Sequence, residues 1–218
     1  MSGPRATFAD ALTLLRAILT PVIMAVIILG WQATRDPGDY EVFQRMLGAS
    51  ILASVLFGVA ALSDAFDDLL GGPETAGFRR FGWFDDIADM ILVVGTLIAL
   101  LIATHNVGAL GLGLIIPAAV IIAREVLVAL VKGYEFARAG LPSTTWGTIK
   151  NALAMVSTLL LVASPWLTNW IDKMRAGDDP MAVFGSTSAY VWNAGLFGLW
   201  ATAILSVVTA VMMFTRKT

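Results

Sequence analysis

Six long apolar runs, separated by short polar segments, organise the 218-residue chain. A helix of about 20 apolar residues crosses the hydrocarbon core of a bilayer, so each run predicts one transmembrane span. The expected spans are Ala11–Trp31, Met46–Leu69, Gly82–His105, Leu110–Tyr134, Ile149–Trp170 and Ala189–Phe214. The second and third are each long enough to cross, which disfavours a re-entrant pair. The first does not read as a signal peptide: it is too long, Arg16 lies inside it and no small-residue cleavage site follows. No internal repeat, low-complexity run or long linker divides the chain. Residues 1–218 are therefore expected to form one all-α integral membrane domain of six spans.

Composition agrees with the pattern. Hydrophobic residues make up 58% of the chain and charged residues 14%, against roughly a quarter charged in ordinary soluble domains. Cysteine is absent, which removes disulfides and thiolate metal sites. A formal net charge of −2 carries no message about nucleic acid, and no such partner is expected.

Orientation follows from the cations in the connecting segments. With the N-terminus inside, the cytosolic side carries Arg5, Arg79, Arg80, Lys132, Arg138, Lys150, Arg216 and Lys217. The opposite side carries Arg35, Arg45, Lys173 and Arg175, and eight against four follows the positive-inside bias. Both termini are then expected in the cytosol, in the cytoplasmic membrane of a cell. Trp31, Trp83, Trp166 and Trp170 fall near span ends, as interfacial anchors do.

One stretch breaks the apolar pattern. Residues 61–93 gather Asp64, Asp67, Asp68, Asp85, Asp86 and Asp89 around a span boundary. An aspartate at mid-membrane costs about 2.5–3.5 kcal/mol on insertion scales, so six would cost roughly 15–20 kcal/mol if summed. Spacings of three and four keep Asp64 with Asp67, and Asp85 with Asp89, on one helical face each. By the helical rise, Asp64 lies roughly 27 Å from Met46, while Asp85 and Asp89 lie within about 5–10 Å of Gly82. Both pairs thus reach the same headgroup level on the cytosolic side. Something cationic must offset them: Arg79 and Arg80, or better a divalent metal, whose hard character suits carboxylate oxygen.

At these residues the chain resembles the CDP-alcohol phosphotransferase family, whose signature is D-x2-D-G-x2-A-R-x8-G-x3-D-x3-D. Asp64, Asp67, Asp85 and Asp89 reproduce every Asp-to-Asp interval of that pattern. "LTLLRAILTPV" looks like the first helix of the phosphatidylglycerophosphate synthase branch. "IIAREVLVALVKGYEFARAG" and "WGTIKNALAMVST" look like its fourth span, inner loop and fifth span. The resemblance covers roughly residues 10–165. It implies transfer of a phosphatidyl group from CDP-diacylglycerol to an alcohol, glycerol 3-phosphate first among candidates, with release of CMP. It implies Mg or Mn as cofactor, held by Asp64, Asp67, Asp85 and Asp89. Asp89 corresponds to the last acid, a metal ligand or the base toward the acceptor hydroxyl. Arg124, Lys132 and Lys150 correspond to the cations that hold the phosphorylated acceptor, with arginine more usual at position 132. Family members commonly pair as homodimers, so a homodimer is implied.

Several positions depart from the pattern. Asp68 replaces the glycine that lets the nucleotide approach, and Gly71-Gly72 replaces Ala-Arg, with Pro73 following as a helix stop. Phe81 stands at the later glycine, Met90 and Thr148 stand where lysines are usual, and Asp10 replaces an asparagine. Three cations are lost and three acids (Asp10, Asp68 and Asp86) are gained. Each lost charged hydrogen bond to phosphate costs about 1.5–3 kcal/mol. A second function therefore stays open, a catalytically impaired relative that binds metal or lipid as a membrane subunit. A cation or proton pathway is a third, though such sites usually lie near the midplane.

Other polar residues are read more plainly. His105, the only histidine, is structural, and Glu125 is a local charge partner of Arg124. Arg16 either snorkels to the interface or lies near the site, where the family's matching arginine is found. The glycines of "GALGLGL" are expected to permit close helix packing.

Overall fold

The computed structural model describes residues 4–31, 40–69, 84–139, 145–176 and 189–215, and among them no strand occurs. Six helices follow in order: α1 (Pro4–Gly30), α2 (Tyr40–Leu69), α3 (Asp85–Asn106), α4 (Leu112–Ala139), α5 (Thr145–Ala176) and α6 (Tyr190–Thr215). All six are long and apolar enough to cross a membrane. The protein is a multi-pass, all-α membrane protein. Most helices outrun the apolar spans: α1 starts at Pro4 rather than Ala11, and α5 runs over Thr145–Ala176 rather than Ile149–Trp170. Backbone hydrogen bonding continues past the hydrocarbon boundary, whereas hydropathy marks only the segment that lipid surrounds.

Helix α1 packs against both α2 and α3, α2 against α5, α5 against α6, and α6 against α4. Buried residues at the centre include Ile23, Ile27, Phe57, Leu92, Leu97, Leu100, Leu161 and Leu199. Large apolar side chains also cover the outside, among them Ile18, Leu130, Phe197 and Ile204. Lipid is as apolar as leucine, so burial alone does not drive these helices together; close van der Waals approach does. Small residues make that approach possible. Gly30 meets Ala49, Gly195 meets Leu161, and Gly198 meets Ser157. Gly95 of α3 lies against Thr20 and Met24 of α1.

Hydroxyls inside the bundle have no water, so most turn back to their own helix. Thr20, Thr96, Thr104, Ser157 and Thr202 each donate to the carbonyl four residues earlier, at 2.6–2.9 Å. Two join helices: Ser50 donates to the Val162 carbonyl, and Ser54, which donates to the Ser50 carbonyl at 2.7 Å, also accepts from Trp166 Nε1 at 3.1 Å.

The α3–α4 turn shows why one glycine is needed. The Ala109 N–H donates to the Thr104 carbonyl at 2.8 Å and the Gly108 N–H to His105 at 3.0 Å. This is the paired closure of a Schellman motif, and it requires the left-handed conformation that Gly108 adopts at φ 69°. The close-packing expectation for this glycine-rich stretch holds for Gly113 alone. A Cβ there would touch Leu196, and its carbonyl accepts from Trp200 Nε1 at 3.0 Å, whereas Gly111 faces open space.

The tryptophans divide as well. Trp170 is 54% exposed, as an interfacial anchor should be, but Trp31 is only 4% exposed. Its ring lies 6.5 Å from that of Trp192, so packing between α1 and α6 holds it rather than the headgroup region. Trp83 and the Gly71-Gly72-Pro73 stop lie outside the described residues.

The α1–α2 crossing is the tightest of these approaches. A Cβ on Gly30 would lie 2.1 Å from the Cβ of Ala49. Gly30→Ala should therefore destabilise the protein by about 1–3 kcal/mol, the usual cost of overpacking. Adding Ala49→Gly should recover most of the loss, and thermal unfolding of the purified protein in detergent checks both.

Candidate functional site

Asp64 and Asp67 occupy the last turns of α2, Asp85 opens α3, and Asp89 follows one turn later. The side chains of Asp64, Asp67, Asp68, Asp85 and Asp86 lie outside the described residues, as do positions 70–83 with Gly71, Gly72, Arg79, Arg80 and Phe81. Among the described residues no group of three acidic, histidine or cysteine side chains is placed to hold a metal. Of the expected metal ligands, only the side chain of Asp89 is described.

Asp89 is held by Arg16. One guanidinium nitrogen of Arg16 donates to a carboxylate oxygen of Asp89, joining α1 to α3. The Arg16 side chain is fully buried and that of Asp89 is 15% exposed. Arg16 therefore does not snorkel; it turns inward and offsets the Asp89 carboxylate. A signal for it existed. Asp10, Thr13, Arg16 and Thr20 recur every three or four residues in an apolar span, and all four are buried. Such a polar stripe marks the helix side turned to the protein interior.

A second cluster joins α4 to α5. Glu125 accepts from Arg124 through Oε2 at 2.8 Å and from Lys150 Nζ through Oε1 at 2.6 Å. All three side chains are largely buried, at 12%, 14% and 8% exposure for Arg124, Glu125 and Lys150. Two of the three expected acceptor cations are thus brought together by a residue that sequence reasoning paired with Arg124 alone. The third, Lys132, lies two turns further along α4, and its side chain is outside the described residues. Thr148 is exposed in the first turn of α5, and Met90 is half-buried beside Asp89. His105 ends α3 beside the Schellman turn, at the far end of the bundle, consistent with a structural part.

Both clusters sit at one end. Arg16 meets Asp89 near the start of α3, and Gly95 meets Thr20 further along both helices, so α1 and α3 run parallel. The short 107–111 turn reverses the chain into α4, and Lys150 near the start of α5 reaches back to Glu125. The start of α3, the middle of α4 and the start of α5 thus lie toward one end of the bundle. Asp89 with Arg16, and the Arg124–Glu125–Lys150 cluster, lie toward that same end.

Comparison with known proteins identifies the class. The family model for CDP-alcohol phosphatidyltransferase matches residues 6–208, and the chain belongs to that family of enzymes. Among curated proteins, it is 28% identical to an Escherichia coli (strain K12) protein over 164 residues, 74% of this chain and 78% of that one. A Pseudomonas fluorescens protein is 27% identical over 167 residues, covering 74% and 75% of the two chains. A Salmonella choleraesuis relative is 26% identical over 166 residues, covering 74% and 78%. All three are named CDP-diacylglycerol--glycerol-3-phosphate 3-phosphatidyltransferase. No solved structure matches the chain.

The buried Arg16–Asp89 pair sets an expectation for stability. Removing one partner of a buried ion pair leaves an uncompensated charge and costs about 3–5 kcal/mol. Arg16→Met should lower the unfolding temperature of the detergent-solubilised protein strongly. The double variant Arg16→Met with Asp89→Leu should be the more stable of the two, because it leaves no lone charge.

Proposed function

We propose that the protein transfers a phosphatidyl group from CDP-diacylglycerol to glycerol 3-phosphate, releasing CMP, as a step of phospholipid biosynthesis. The observation that carries this reading is the family match over residues 6–208, with the four acids at the family's intervals on α2 and α3. The names of the relatives point to the acceptor. The gathering of Arg124 and Lys150 supports it, because a phosphomonoester dianion needs such a pair.

In this reading the acceptor hydroxyl oxygen attacks the phosphatidyl phosphorus, its proton leaves to a base, and the phosphorus–oxygen bond to CMP breaks. Asp64, Asp67, Asp85 and Asp89 are proposed to hold Mg or Mn. Carboxylate oxygens are the donors those ions prefer, and the one described member, Asp89, keeps a partly exposed carboxylate. A divalent ion there supplies charge stabilisation at the diphosphate. Asp89, held by Arg16, is the proposed base toward the acceptor hydroxyl, or a metal ligand only. Arg124, Lys132 and Lys150 hold the acceptor phosphate. The positive-inside bias supports a site on the cytosolic face of the cytoplasmic membrane, with both termini on that side. One integral domain and a homodimer complete the proposal, the latter on family resemblance alone.

The impaired-relative reading keeps one specific support. Glu125 already engages both described acceptor cations, and Asp68, Gly72, Met90 and Thr148 remove groups that relatives use.

Purified protein in detergent with Mg or Mn, CDP-diacylglycerol and glycerol 3-phosphate should release CMP. Chelation should stop the release, and Asp89→Asn should slow it at least about 100-fold, the lower range for loss of a general base. Absence of CMP above that variant's background would leave the non-catalytic reading. Asp68→Gly combined with Gly72→Arg separates the two further: turnover that appears only in this variant marks the natural site as impaired.

A further inference from the structure

Arg124 and Lys150 are two cations on successive helices, both inside segments apolar enough to cross a membrane. Like charges held together in that environment repel each other and lose hydration, so a counter-anion is required. Glu125 supplies it. One carboxylate oxygen accepts from Arg124 at 2.8 Å and the other from Lys150 at 2.6 Å. Each oxygen therefore serves one cation, across the gap between α4 and α5. A phosphomonoester presents the same feature, a rigid fork of anionic oxygens, with more charge and one oxygen more. The three side chains keep 8–14% exposure, so the cluster is shielded but not sealed.

From this geometry we propose that Glu125 is a placeholder anion, an internal competitor that holds Arg124 and Lys150 as a pair until a phosphomonoester displaces it. The inference rests on the reading of these cations as the acceptor site, and it adds a specificity device to that reading. Only a ligand carrying enough negative charge can take both cations from a carboxylate already in place. A neutral alcohol cannot, so the exchange selects glycerol 3-phosphate over glycerol. Stability of the empty protein and affinity for the phosphorylated acceptor are then opposed through one side chain. A Glu125 that served only to position the cations would act in the other direction, since its loss would splay them and weaken binding.

The test reads binding directly, without turnover. Full-length protein in detergent is titrated with radiolabelled glycerol 3-phosphate, inorganic phosphate and glycerol, for the natural chain and for Glu125→Gln. The amide keeps size and shape while removing the charge. The expected result is a lower unfolding temperature for ligand-free Glu125→Gln, together with roughly tenfold or greater tightening for glycerol 3-phosphate. Thermal stabilisation by the ligand should also be larger than in the natural chain. Tightening for inorganic phosphate to the same degree locates the exchange at the phosphate alone; tightening only for glycerol 3-phosphate shows that the glycerol moiety takes part. Glycerol should bind neither protein. Unchanged or weaker glycerol 3-phosphate binding by Glu125→Gln overturns the proposal. Glu125→Asp, which retains charge on a shorter arm, guards against a folding defect: if it too tightens as much as the amide, charge competition is not the cause and the proposal fails. Binding that tightens in a protein that releases no CMP would overturn the proposed reaction and leave this inference standing.

Discussion

A charge buried among transmembrane helices must find its counter-charge inside the protein, and that constraint organises this molecule. Arg16 has no exposed surface, so α1 and α3 must bring Asp89 to it. Lys150 and Arg124 are nearly as enclosed, and α4 and α5 must bring Glu125 between them. These two links set the relative heights of four helices at the end where the candidate site lies. Apolar packing cannot set such heights by itself, because leucine against lipid and leucine against leucine differ little.

The remaining architecture serves that arrangement. Glycine and small residues let the backbones approach until the short polar links can form. Most hydroxyls that point inward are satisfied by their own helix, which lowers the cost of a polar interior. At the far end a Schellman turn around Gly108 closes the α3–α4 hairpin and keeps the two helices in step. The two buried ion-pair clusters therefore lie at the site end, while the Schellman turn closes the other.

The two clusters also bear on how a signature with several altered positions can still be a site. The family pattern that the sequence resembles carries lysines where this chain has Met90 and Thr148. Arg16, Arg124 and Lys150 remain, each tied to a carboxylate. Buried positive charge is thus kept in the helices α1, α4 and α5.

Much of the fold was legible in the chain itself. Six apolar runs of sufficient length dictate six crossing helices, because unsatisfied backbone cannot enter lipid. The intervals between Asp64, Asp67, Asp85 and Asp89 dictate which helix faces carry acids, since helical periodicity is local. Partnership is not local. Arg16 and Asp89 are 73 positions apart, and Lys150 and Glu125 are 25 apart. No spacing rule joins them: the stripe of Asp10, Thr13, Arg16 and Thr20 marks the inward side of α1 but does not name the partner it meets. Trp31 shows the same limit: its place at a span end suggested the interface, and only the approach of α6 buried it against Trp192. Local periodicity thus determined the elements and the acid faces; helix–helix packing alone decided which buried charges meet.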